Sequence, residues 1–185
     1  MSTDTAVQAP PAGTYAVDPL HSTVGFVARH LIGAKVRGKF TEFSGTIVIG
    51  DTPETSSVEA EVKADSITTS QEQRDAHLKS PDFLDYENNP TLTLKSTSVT
   101  KVSDTQYKVV ADLTIRGVTK SVTLDLEYLG TGPGMAPDST VAAFEASTEI
   151  DRRDFGVSFN GTLENGSLVV GNKVKLELEV EAHKQ

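Results

Sequence analysis

Asp18, His21 and Ser22 put a carboxylate, an imidazole and a hydroxyl within five residues. In mutual contact, such groups make a nucleophile site: the imidazole activates the hydroxyl and the acid orients the imidazole. Neighbouring side chains diverge in a strand, however, so His21 cannot face Ser22 there. No Gly-x-Ser-x-Gly elbow occurs in the chain, so no serine is presented on a strained strand-to-helix turn. Asp18-Pro19 followed by Ser22 reads as a turn entering a strand. Arg74 and His77 stand three residues apart, on one face if the segment is helical. They are either a solvated face over a buried Leu78 or polar groups that meet a ligand's head group. Arg152 continues the parity of Ile150 beyond a strand end. It is either a buried cation paired with a carboxylate or a head-group anchor, and the sequence leaves both open.

Metal chemistry has little to work with. The four histidines are His21, His30, His77 and His183. His21 and His30 are nine apart, which puts them on opposite faces of a regular strand, whereas a metal pair needs a shared face. His183 sits in what reads as an inert C-terminal tail. The chain has no cysteine, which removes disulfides, thiolate zinc sites, iron–sulfur clusters and a cysteine nucleophile. No metal, cofactor or catalytic residue is expected.

The elements that must hold these residues are strands. Of 185 residues, 17 are Lys or Arg and 26 are Asp or Glu, a net charge of −9. That balance disfavours nucleic acid and anionic membranes in bulk, although a local basic patch can survive it. A single domain of this length buries about 70% of its unfolded surface, enough for a real core. Residues 1–12 lack an apolar pattern and are expected to be a disordered tail, with one domain over 13–185. No signal sequence or apolar membrane span is apparent, so the expected location is cytoplasmic. A homodimer is compatible with this reading.

Alternation dominates the rest. Val58, Ala60, Val62 and Ala64 are apolar while Glu59, Glu61, Lys63 and Asp65 are charged, and residues 174–182 repeat the pattern. Period two with one wet face is the mark of an antiparallel sheet. Runs at 14–18, 22–30, 35–49, 57–65, 91–102, 105–116, 118–129, 140–151 and 167–182 give about eight strands. Their length favours a barrel, which leaves no edge exposed. Arg116-Gly117, Asn160-Gly161 and Asn165-Gly166 are expected hairpin turns, and Gly130–Pro137 a flexible loop. One insertion interrupts the series. Ser70 and Gln73 form a capping box, so 71–79 is expected to be helical, with Asp75 and Lys79 paired. The segment 71–86 is expected to cover one end of the barrel, plugging it with Leu78, Phe83 and Leu84.

Parity assigns the interior. Phe26 and His30 share one face of 22–30, so His30 is expected to point inward. Val36 and Phe40 share one parity and Phe43 and Ile47 the other, so a bulge is expected near Thr41–Glu42. Ala60, Val62 and Leu113 complete the expected lining. An eight-stranded barrel has room for one small ligand or for its own side chains. The small inward residues therefore either leave a cavity or taper a filled core.

Several motifs resemble the YceI-like family of polyisoprenoid- and lipid-binding proteins. They are Asp18-x-x-His21-Ser22-x-Val24-x-Phe26 with His30, Phe40-x-x-Phe43-x-Gly45, Arg74-Asp75-x-His77-Leu78-x-Ser80-x-Asp82-Phe83, Leu113-Thr114-Ile115-Arg116-Gly117-Val118-Thr119, and Arg152-x-Asp154-Phe155-Gly156. The resemblance spans about 13–183. It implies an all-β fold, an extended eight-stranded antiparallel lipocalin-like barrel with a short helical insertion. Its apolar cavity would take a polyisoprenoid or another long-chain lipid for carriage, storage or sequestration. The expected ligand contacts are the lining residues above with Arg74, His77, Leu78, Phe83, Arg152 and Phe155. The alternative is an enzyme acting on a lipid-like substrate in the same cavity, with His30 or His77 as acid–base.

Overall fold

The computed structural model describes residues 8–185. In chain order it contains β1 (Gly13–Val17), β2 (Thr23–His30), β3 (Ala34–Phe40), β4 (Phe43–Ile49), β5 (Ser57–Lys63), β6 (Ile67–Thr68), α1 (Glu72–Lys79), β7 (Thr91–Lys101), β8 (Gln106–Ile115), β9 (Val118–Pro133), β10 (Thr140–Asp151) and β11 (Val170–Lys184). The strands β1, β4, β5, β7, β8, β9, β10 and β11 pair in that order, and β11 returns to β1. Eight antiparallel strands thus close a barrel. Beyond β1, the same edge of β11 is taken by β2, which pairs with β3, and β3 with β6. The pairs β1–β2 and β3–β4 therefore act as two long strands, each broken once. No described helix is long and apolar enough to cross a membrane.

The breaks follow from side-chain parity. Phe40 and Phe43 can both turn inward only if the chain steps out between them, and it does so at Thr41–Glu42. The Thr41 N–H donates to the Ser66 carbonyl at 3.1 Å, and the Glu42 carbonyl accepts from Lys63 N–H at 3.0 Å. The other break, Asp18–Ser22, would leave Glu181 of β11, paired with Ala143 on one side, without a strand partner on the other. Asp18 N–H donates to the Glu181 carbonyl at 2.8 Å, and Ser22 Oγ accepts from the Glu181 N–H at 3.0 Å. Ser22 is thus a substitute for missing backbone.

The helical insertion closes one end. Phe83 and Leu84, in the turn after α1, are buried against Phe40, Ile67, Leu113, Ile115 and Phe155. Arg116, at the tip of the β8–β9 hairpin, pins this turn by donating from Nη1 to the carbonyls of Pro81 at 2.5 Å and Phe83 at 2.6 Å. Arg116 and Gly117 both have positive φ, 50° and 72°, as a two-residue hairpin turn requires.

Several expectations are corrected in detail. The cap of α1 is Gln71, whose side chain accepts from Arg74 N–H. Ser70 is left-handed, with φ 61°, and sits too early to cap. Asp75 does not meet Lys79. Its carboxylate turns back to Thr69 N–H at 2.7 Å and to the hydroxyls of Thr69 and Thr68 at 2.6 and 3.0 Å. Burial raises its pKa, but these three donors outweigh that and hold it below the usual carboxylate value. Residues Gly130–Pro133 extend β9 and pair with Thr140–Ala143, so the loop begins only at Gly134. Asn165-Gly166 does form a turn, with Gly166 at φ 83°, whereas Asn160-Gly161 does not. Asn160 instead donates through its side chain to the Val170 carbonyl at 2.8 Å and accepts from Val169 and Val170 N–H at 3.1 Å. His183 is not in a tail: it lies in β11, paired with Ala16 and Val141. The expected tail falls partly on residues 1–7, outside the described residues. Of the rest, Pro11 accepts the hydroxyl of the fully buried Tyr15 at 2.9 Å.

Gly38 is a tight point of the wall. It pairs with Phe26, and a Cβ at Gly38 would lie 2.2 Å from the tip of the Phe26 ring. The Gly38→Ala variant must displace that ring from its place beside Phe40, 6.0 Å away. We expect a loss of about 1–3 kcal/mol, and a lower Tm by about 2–4 °C for each kcal/mol at this chain length. Thermal unfolding followed by circular dichroism checks it, and an unchanged Tm would contradict the packing.

Candidate functional site

The inward faces do not fill the barrel. Three apolar cavities lie in series along its axis. The lower one, of about 130 Å³, sits above the helical plug and is lined by Phe26, Phe40, Leu78, Phe83, Arg152 and Phe155 among others. The middle one, about 150 Å³, meets Phe43, Ile47, Ala60, Val62 and Leu113. The upper one, about 180 Å³, opens at the far end beside Gly50–Pro53 and is walled by Tyr107, Val109, Leu126 and Phe144. Phe40, Leu92, Ile115 and Leu176 are shared by the lower and middle cavities, and Ile47, Val58, Leu94, Leu124, Leu178 and Val180 by the middle and upper ones. The three cavities adjoin at these residues in one apolar row, called the channel below. Small residues make it hollow: Ala28, Ala60 and Ala146 stand where larger side chains would meet across the barrel.

Eleven of the fourteen residues named from sequence line this channel; three do not. His30 has the inward parity of Phe26 and Ala28 but is the last residue of β2, at a hairpin that runs past the wall, and it is exposed. Parity gives a side chain's face, not its height. Arg74 is turned away by nearby acceptors: its Nε donates to Thr69 Oγ1 at 2.6 Å and its Nη2 to the Thr69 carbonyl at 3.0 Å. His77 Nε2 donates to Asp82 at 2.7 Å, with its ring edge-on to Phe83 and Phe159. Both therefore sit on the outside of the plug. Sequence reading missed the upper third, where Tyr107, Val109, Leu126 and Phe144 line the wall. The alternation of 105–116 and 118–129 put Tyr107, Val109 and Leu126 on the apolar faces of their strands but could not say that they stand level with one another, and Phe144, in the run 140–151, was given no face.

Arg152 is buried and lines the lower cavity, yet among the described residues no carboxylate pairs with it. Its Nε donates to the Gly171 carbonyl at 3.0 Å and its Nη1 to the carbonyls of Val157 and Phe159, each at 2.8 Å. Its Nη2 reaches Val170 and Asn172 at 3.4 Å. Burial lowers its pKa, with the nearby Asp151 charge opposing. The guanidinium thus ties the 157–172 segment to the barrel end. Apart from Arg152, the described lining offers only Asp51 and Tyr107 as titratable groups, both in the upper cavity.

A second polar cluster lies on the wall. Asp18 Oδ2 accepts from His21 Nδ1 at 2.8 Å and from His183 Nε2 at 3.1 Å, and Glu181 is near enough to complete a group of metal-ligating type with Asp18 and His21. The cluster bridges the β1–β2 break and the last turn of the barrel seam. Its members come from the two ends of the chain, so spacing in sequence could not assemble it.

A model of the YceI-like domain family matches residues 15–182. A UPF0312 protein of Staphylococcus aureus is 36% identical over 169 residues, covering 90% of this chain and 95% of its own. Among solved structures, the Campylobacter jejuni YCEI protein superposes with a TM-score of 0.72 at 27% identity, over 85% of this chain and 90% of that one. Burkholderia cenocepacia BcnA gives 0.78 at 19% identity, over 89% and 98%. A polyisoprenoid binding domain from Saccharophagus degradans gives 0.67 at 13%, over 95% and 100%. The last two likenesses bear on the fold alone.

The wall cluster makes stability depend on pH. The His21 hydrogen bond, against some burial, lowers the Asp18 pKa from 3.8 to about 2. A lowered acid stabilises in full above its ordinary value and loses that contribution as pH falls through about 2. The Asp18 bond raises His21 above 6.5, so its contribution is complete below 6.5 and fades as pH rises past it. Asp18→Asn should therefore lower the Tm most between these limits, near about pH 5, and the gap to the native chain should narrow toward about pH 2. Calorimetric scans across pH decide it, and a gap independent of pH would refute the clamp. Arg152→Met, which strands up to four carbonyls, should cost at least the 1–3 kcal/mol or so of one unsatisfied buried group, read from denaturant midpoints.

Proposed function

The chain belongs to the YceI-like family, and from that premise we propose that it binds one long-chain amphiphile, a polyisoprenoid or a lipid of similar shape, and serves as its carrier or sequestering protein. The observation that carries this reading is three narrow apolar cavities in series. An apolar cavity of about 150 Å³ stays dry and takes a benzene-sized guest. Each compartment is of that size, so a compact ligand would fill only one, while a thin chain could thread all three. Burial of about sixteen methylenes contributes roughly 13 kcal/mol before ordering costs, which holds such a chain without charged contacts. The scarcity of titratable groups in the lining supports binding over turnover, since general acid–base chemistry needs a donor within hydrogen-bond reach of the reacting atoms.

Native mass spectrometry of the purified chain tests this reading. We expect a mass excess from one co-purified lipid, recovered unaltered after incubation. A lipid recovered cleaved or isomerised would overturn the binding-only role. Ala60→Trp fills the middle cavity and should cut uptake of a fluorescent isoprenoid at least tenfold, with circular dichroism unchanged. Full uptake by the folded variant would move the site elsewhere.

A further inference from the structure

The β2–β3 hairpin carries a net positive charge in a chain that is acidic as a whole. No Asp or Glu occurs between Asp18 and Glu42, while Arg29, Lys35, Arg37 and Lys39 fall within that stretch and are all exposed. The hairpin tip is apolar: Ile32 is 88% exposed and Leu31 also faces solvent. Leu31 N–H donates to the Val169 carbonyl at 2.9 Å, which ties the tip to a loop where Phe159, Leu163 and Leu168 are exposed as well. The acidic groups on this side are few. Glu164 lies on the loop beside Leu163, Glu177 stands 3.7 Å from Arg37, and Glu179 lines the outer groove beside Arg37 and Lys39. Apolar side chains at a tip with basic residues just behind them match the layered chemistry of a bilayer surface, hydrocarbon below and anionic phosphate above. The same hairpin walls the lower cavity through Phe26 and Ala28, with Leu31 three residues further, about 10 Å along the strand.

We propose that the β2–β3 tip docks on an anionic lipid bilayer, Leu31 and Ile32 entering the interface while Arg29, Lys35, Arg37 and Lys39 meet headgroup phosphates. Phe159, Leu163 and Leu168 widen the contact. Docking places the helix-plugged end of the channel at the membrane, so lipid passes between bilayer and lower cavity there. This last step rests on the binding function proposed above; the docking does not.

The chain contains no tryptophan, so Ile32→Trp makes a single reporter at the tip. Its emission should shift to the blue, and the protein should sediment, with phosphatidylcholine vesicles that contain phosphatidylglycerol. Pure phosphatidylcholine should bind far less. Lys35→Ala should lower the partition coefficient about fivefold, the effect of one basic residue near a charged surface. High salt should release the protein, since the Debye length falls from about 10 Å at 0.1 M to about 3 Å at 1 M. Ile32→Asp, in the otherwise native chain, should abolish sedimentation yet leave uptake of a fluorescent isoprenoid from detergent unchanged. No blue shift on anionic vesicles, equal partition onto neutral ones, or full sedimentation of Ile32→Asp overturns the docking. Failed uptake by the native chain, with docking intact, overturns the binding function alone.

Discussion

A sheet becomes a barrel only if its last strand finds its first, and here one strand must satisfy two. β11 gives one edge to β10 and divides the other between β1 and β2. Because β1 and β2 are separated by Asp18–Ser22, Glu181 faces a gap. Asp18 and Ser22 fill it with a backbone donor, a hydroxyl and a carboxylate that also draws in His21 and His183. An unpaired backbone group in a seam costs about as much as a lost hydrogen bond, so this short turn sets the register of the closure. The hairpin of β2 and β3 continues from it, and with it one wall of the lower cavity.

Small lining residues leave the barrel hollow, and what surrounds it keeps it from collapsing. Close packing is the default of protein interiors, and a void persists only when its walls cannot collapse. Two arginines at one end hold those walls. Arg116 fixes the plug turn through two carbonyls, and Arg152 fixes the 157–172 segment through several more. Among the described residues, neither is balanced by a carboxylate hydrogen-bonded to it. Carbonyl dipoles solvate both charges, which leaves the apolar channel free of anionic groups at that end.

Much of this was legible in the residues. Period two in 57–63 and 174–182 gives antiparallel strands because a one-residue slip would drive Glu59 or Lys175 into the core. The conflict of parity between Phe40 and Phe43 demands the step at Thr41–Glu42, and Leu78 and Phe83 beside a capped helix mark a plug. These follow from short-range rules, in which each residue's neighbours fix its face. Height along the barrel and contacts between distant segments do not. His30 has an inward parity yet stands beyond the wall, Arg74 and His77 are claimed by Thr69 and Asp82, and His183 meets Asp18 across almost the whole chain. Asn160-Gly161 has the dipeptide of a tight turn, but Asn160 is taken by the edge of β11. The sequence by itself determined strands, faces, breaks and the plug, because alternation and turn chemistry act within a few residues. Only the tertiary structure decided which polar side chains reach the channel, since a hydrogen-bonding group goes to the nearest acceptor in space, and strand pairing sets that distance.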